Sequence, residues 1–140
     1  MSFSKPQVGA EASVSRTILE EDLRTFARLS LDENPVHFDE AFASKTFLGR
    51  RVAHGMLGAA LISGALTKLM GEGNVWLSAS IRFQKPVFPG DHLECVLRIQ
   101  DVNRRGVAEI SVSIKNQRAE SVIAGTVQSM RFLAEGADER

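Results

Sequence analysis

The stretch GMLGAALISGALTKLM, Gly55 to Met70, is apolar except for Ser63, Thr67 and Lys68. About 20 apolar residues are needed to cross a bilayer, and this run is shorter, rich in glycine and charged near its end. It predicts a buried central helix. A helix without a polar face must be covered on most sides, so the rest of the chain has to supply the cover.

Downstream, the hydrophobic period changes from helical to two. Val75, Leu77, Ala79, Ile81 and Phe83 alternate with Trp76, Ser78, Ser80 and Arg82, and Leu93, Cys95, Leu97 and Ile99 alternate with His92, Glu94 and Arg98. Ala108, Ile110, Val112 and Ile114 alternate most cleanly, with Glu109, Ser111, Ser113 and Lys115 between them. A last strand, around Val122 to Phe132, is less regular, with Gly125 and Thr126 at its centre. Pro89-Gly90-Asp91, Arg105-Gly106 and Asn116 to Glu120 are the turns that separate these strands.

Upstream, a short extended stretch around Val14 to Ile18 precedes Leu19, Leu23, Phe26, Ala27 and Ser30, which have helical spacing with Arg24 and Arg28 opposite. Thr17 and Glu20 stand three apart, as in a capping box. The helix should stop before Asn34-Pro35, because proline disfavours helical geometry in the residue ahead of it. Asp39 is placed to cap a short helix through Ala43, and a loop with Gly49, Arg50 and Arg51 leads to Gly55. Strands do not alternate with helices, which favours an α+β fold over a doubly wound parallel sheet. The economical arrangement is an antiparallel sheet wrapped around the apolar helix, in one domain over residues 1–140, with a frayed tail from Glu135 to Arg140.

Seventeen Lys and Arg balance seventeen Asp and Glu, so no bulk charge marks the chain for nucleic acid or an anionic membrane. Cys95 is the single cysteine, which excludes an internal disulfide and a cysteine-based zinc site. Met1 to Ser15 lacks the apolar core of a signal peptide. These features predict a cytoplasmic protein.

Asp32-Glu33-Asn34-Pro35-Val36-His37 places a carboxylate and an imidazole five residues apart on a proline-stiffened loop. An acid and a histidine converging on one water are a minimal device for activating it. The same spacing also fits an ordinary turn with a solvated histidine. His54-Gly55 opens the apolar helix, where a glycine N–H at the positive end of the dipole can meet a substrate oxygen, the recipe for an oxyanion hole. Glycine there also serves as a plain helix start, and His54 receives no role. Ser63 could face a ligand, although a hydroxyl inside a helix most often bonds back to the preceding turn. No nucleophile elbow, phosphate loop or metal-ligand spacing is present, and Cys95 alternates with core residues as a structural thiol does.

Taken in order, Ser30-Leu31-Asp32-Glu33-Asn34-Pro35-Val36-His37, Ala53-His54-Gly55-Met56-Leu57, Ile62-Ser63-Gly64 and Phe83-Gln84-Lys85-Pro86-Val87-Phe88-Pro89-Gly90-Asp91 resemble the MaoC-like hydratases. The likeness is to the short R-specific enoyl-CoA hydratases that feed polyhydroxyalkanoate synthesis, and it spans Val14 to Phe132. It implies the hot-dog fold, a homodimer and an acyl-CoA substrate. By resemblance Asp32 and His37 hold the reacting water, Asn34 shapes their loop, the Gly55 N–H binds the thioester oxygen, and Ser63 matches a serine near the pair. Leu31 departs from the pattern, since many members carry glycine there. The chemistry implied is addition of water to a trans-2-enoyl thioester, with no metal or redox cofactor, because the thioester already acidifies the α position.

Three other functions compete. A carrier-protein dehydratase of fatty acid synthesis would use the same chemistry on a different handle. A hot-dog acyl-CoA thioesterase would resemble enzymes with an acid on or just before the central helix, but Gly55 to Met70 contains no Asp or Glu. A silent acyl-binding module would need neither Asp32 nor His37.

Overall fold

A computed structural model describes residues 6–132. The tail expected to fray, Glu135 to Arg140, lies outside the described residues. The order is β1 (Glu11–Thr17), α1 (Glu20–Ser30), α2 (Pro35–Phe38), α3 (Glu40–Ser44), α4 (Gly55–Met70), β2 (Asn74–Phe83), β3 (His92–Val102), β4 (Ala108–Lys115) and β5 (Ser121–Arg131).

The alternation read in β3 and β4 builds the core. Leu93, Cys95, Leu97 and Ile99 and, one strand over, Ala108, Ile110, Val112 and Ile114 are all buried on one face. The five strands form one antiparallel sheet in the order β1-β3-β4-β5-β2. Val14 pairs with Cys95, Leu97 with Val112, Val112 with Gly125 and Gly125 with Ile81. Gly125 breaks the hydrophobic pattern of β5 for a steric reason: a Cβ there would lie 2.1 Å from the Ser80 carbonyl oxygen.

Helix α4 lies on this apolar face, burying Gly58, Ala59, Ile62, Ala65, Leu66 and Met70. Full burial of a side chain such as Ile62 or Leu66 is worth about 1.5–3 kcal/mol, so this seam is a main source of stability. Gly58 lets the helix settle, since a Cβ would stand 3.2 Å from Ile123 Cδ1. Cover on most sides does not follow within one chain: Met56, Ala60, Ser63, Gly64 and Thr67 form an exposed face.

Two local expectations are corrected. The register of β2 against β5 shifts between Trp76 and Ser78, which reverses the inward phase along the strand. Trp76 and Ile81 therefore pack against the core, while Val75, Leu77 and Phe83 are exposed. At the start of α1, Thr17 and Glu20 form no capping box. Leu19 is the N-cap, and its N–H donates to Asp22 Oδ2 at 2.9 Å. Thr17 stays in β1 with its hydroxyl 2.9 Å from His92 Nδ1. Asp22 also binds Arg16, which holds the Asp22 carboxyl below its ordinary pKa.

Helix α1 ends at Leu31 in the left-handed conformation, φ 64°, with its N–H donating to the Ala27 carbonyl at 2.8 Å. This is a position for glycine, because a side chain there costs about 1–2 kcal/mol. Leu31→Gly is expected to raise stability by about 1 kcal/mol in urea unfolding, after the greater freedom of glycine in the unfolded chain is subtracted. A lower midpoint at unchanged slope would contradict it.

Candidate active site

Four segments converge at the N-terminal end of α4: the end of α1, the 31–34 loop with α2, residues 50–54, and the end of β2. They enclose a cleft of about 420 Å³ lined by Phe26, Ser30, Asp32, His37, His54, Gly55, Met56 and Phe83.

The Asn-Pro pair builds the first wall. Asn34 is the N-cap of α2, its Oδ1 accepting the Val36 N–H at 3.1 Å, and Pro35 occupies the first helical position, where it needs no donor. His37 therefore stands on a one-turn helix and not on a loop, and it is buried. Asp32 lies just ahead, its Oδ1 accepting the Asn34 N–H at 3.1 Å. Its Oδ2 is 3.8 Å from His37 Nε2, too long for a hydrogen bond and suited to a water held by both.

The second wall fixes the imidazole. His37 Nδ1 lies 2.7 Å from the Val52 carbonyl oxygen. A carbonyl only accepts, so Nδ1 carries the proton and the neutral ring presents a bare Nε2 towards Asp32. The Val52 N–H returns a bond to the Val36 carbonyl at 3.2 Å. Arg51 Nε donates to the His37 carbonyl at 2.7 Å, and the same guanidinium pairs with Glu20. Burial lowers the His37 pKa below its ordinary 6.5; the Val52 bond and Asp32 oppose this, and His54 and Arg51 add to it.

Gly55 is the first residue of α4. Its N-cap, His54, makes no side-chain cap. The first N–H groups of a helix have no intrahelical acceptor, so the Gly55 N–H sits at the positive end of the dipole beside the cleft. A Cβ on Gly55 would lie 2.9 Å from Phe83 Cδ1, so glycine alone fits beneath that ring without displacing it.

Asp32, His37 and Gly55 thus line one cleft, with Asn34 behind them as the cap of α2. Ser63 does not line it. It is exposed and lies about 12 Å along the helix from Gly55, outside the cleft lining. Cys95 is buried in the core on the inner face of β3, its thiol pushed up to about 12 by desolvation, which removes it as a nucleophile. Sequence reasoning missed His54 and Arg51, whose partners are 14 to 31 residues away. Asp32, His37 and His54 place potential ligand atoms within 4.8 Å of one another. The two rings are stacked, however, so their in-plane lone pairs run side by side and do not converge on one ion.

This fold and this cleft define a member of the MaoC-like hot-dog class, and the chain belongs to that family: residues 3–122 match the MaoC like domain. An (R)-specific enoyl-CoA hydratase of Rhodospirillum rubrum is 40% identical over 98 residues, covering 69% of this chain and 68% of that protein. The (R)-specific enoyl-CoA hydratase of Aeromonas caviae is 35% identical over 127 residues, 89% of this chain and 95% of that one. The solved structure of the A. caviae (R)-hydratase involved in PHA biosynthesis matches with a TM-score of 0.85 at 33% identity, covering 89% of this chain and 96% of that chain.

Proposed function

We propose that this chain is an R-specific enoyl-CoA hydratase that adds water reversibly across the double bond of a trans-2-enoyl-CoA. The observation that carries the reading is the 3.8 Å gap between Asp32 Oδ2 and a deprotonated His37 Nε2, in a cleft that Gly55 also lines. The names of the relatives support the substrate and its stereochemistry.

A water between the two groups donates one hydrogen to Asp32 and the other to His37 Nε2. As its oxygen attacks C3, Nε2 takes the proton, and charge develops on the thioester oxygen, where the Gly55 N–H stabilises the enolate. Protonated His37 then returns that proton to C2. One water is added, and both groups end in their starting states. Since oxygen and proton come from the same side of the planar enoyl group, addition is syn. The steps use no metal or redox group, because the thioester carbonyl is the electron sink; CoA is part of the substrate. Asn34 acts through α2 by presenting His37.

The described residues contain no helix long and apolar enough to cross a membrane. A free, buried Cys95 suits a reducing cytoplasm. We assign a homodimer as the working form. Strand β2 is a sheet edge with Val75, Leu77 and Phe83 exposed, and the small-residue face of α4 is uncovered. An open apolar edge invites a partner. Light scattering should give twice the chain mass, and a stable monomer at assay concentration would contradict the assignment. The reaction is tested with a panel of enoyl thioesters, CoA-linked and carrier-protein-linked, by loss of conjugated enoyl absorbance. Faster loss on CoA esters is expected; preference for the carrier-linked ester would make the protein a carrier-protein dehydratase.

A further inference from the structure

His54 is buried, yet its side chain does not cap the helix it precedes. Its Nε2 lies 3.0 Å from the backbone carbonyl oxygen of Asp32, and its ring stacks on that of His37 with centroids 3.7 Å apart and planes 29° from parallel. Phe26 and Phe38 close around its other sides, with centroids at 4.9 and 5.8 Å. One imidazole thus touches both halves of the pair, one through an edge and the other through a face.

Its remaining nitrogen supplies the second argument. Nδ1 is the buried side-chain polar atom that has no partner among the described residues. A buried polar atom without a partner costs stability, and a phenyl ring among Phe26, Phe38 and His37 would avoid that cost. Packing alone therefore does not call for histidine at this position. The Asp32 carbonyl does, because it needs a donor from a flat ring.

We propose that His54 is a positioning residue for hydration, its Nε2–H holding the Asp32 backbone and its ring face holding the His37 imidazole, so that the 3.8 Å space for the water is kept. The inference rests on the hydratase reading for its catalytic consequence and on geometry alone for its effect on His37. The groups facing His37 are Asp32 from the loop, Arg51 and the Val52 carbonyl from the segment before α4, Phe38 from α2 and His54 itself. Removing the His54 imidazole leaves every other one in place.

The test compares His54→Phe, which keeps a flat ring and loses the donor, with His54→Gln, which keeps a donor at the Nε2 position and loses the ring. In His54→Phe, kcat on crotonyl-CoA should fall about tenfold or more, as expected for a small displacement of reacting groups, with the melting temperature held or raised. KM should move by less than about threefold. His54→Gln should recover part of kcat, since the donor to Asp32 returns without the ring face against His37. In both variants the pH at which the His37 ring titrates, followed by NMR without substrate, should move from its wild-type value, because the ring stacked on it at 3.7 Å has been replaced. Wild-type kcat in folded His54→Phe, an unmoved His37 titration, or losses that track the melting temperature in both variants would overturn the proposal. A wild-type protein that fails to hydrate crotonyl-CoA would overturn the hydratase reading instead, while leaving the NMR result to decide what His54 does.

Discussion

Asp32→Asn and His37→Gln should each lower turnover on crotonyl-CoA by about 10²-fold or more without loss of the fold. Asparagine keeps the Oδ1 that accepts the Asn34 N–H at 3.1 Å and removes only the charge beside the water, so the loop should survive the change. The amide of Gln cannot take and return a proton as Nε2 does. The wild-type pH profile carries the same assignment. His37 works as a base when deprotonated, and burial holds its pKa below 6.5, so activity should persist beneath pH 6.5 and fall only as pH drops through the lowered value. The linkage has the same sign. The unfolded imidazole binds a proton more readily than the folded one, so stability from this group is present above the unfolded pKa and is lost as the pH falls. Near-normal turnover in either folded variant would remove that residue from its role.

Gly55→Val tests the main-chain donor. The added branches lie against Phe83, whose ring is already 2.9 Å from a Cβ at this position, and close the approach to the N–H. Loss of an oxyanion donor costs about 3–4 kcal/mol of barrier, so kcat should fall by two to three orders of magnitude. Phe83→Leu with Gly55 intact separates displacement of the ring from obstruction of the N–H and should cost far less. Ser63→Ala should also change little, given where the structure places Ser63. Full activity in folded Gly55→Val would move the oxyanion site elsewhere.

The parts of this molecule that were legible are those governed by near neighbours in sequence. A strict period of two in β3 and β4 has one solution beside a large apolar helix, and the Gly55 run is too short and too glycine-rich to be anything but that helix. The phase of β2 was misread because one bulge at Trp76 to Ser78 exchanges the two faces, and nothing local marks it. The helix α2 escaped notice because four residues are less than a helical period can reveal, although its cap, Asn34, and its Pro35 were in view. Thr17 and Glu20 have the spacing of a capping box, but Asp22 reaches the Leu19 N–H first while Arg51 draws Glu20 away.

In the site the same division holds. The spacing of Asp32 and His37 and the place of Gly55 at a helix start left an ordinary turn and a plain helix start open, and the resemblance of the ordered motifs singled these residues out. The tautomer of His37 could not be read, because it is set by the carbonyl of Val52, fifteen residues on. His54 was passed over beside Gly55 because its meaning lies in a stack with His37 and a bond to Asp32 that only the folded chain creates.

The central claim is that paired groups on one side of the enoyl plane add water and leave the thioester whole. Incubation of crotonyl-CoA with the protein, with chiral separation of the product and a parallel free-thiol assay, tests it most directly. The account predicts (R)-3-hydroxybutyryl-CoA with no release of thiol. Rapid release of free CoA without hydroxyacyl product, or a product of S configuration, would contradict it.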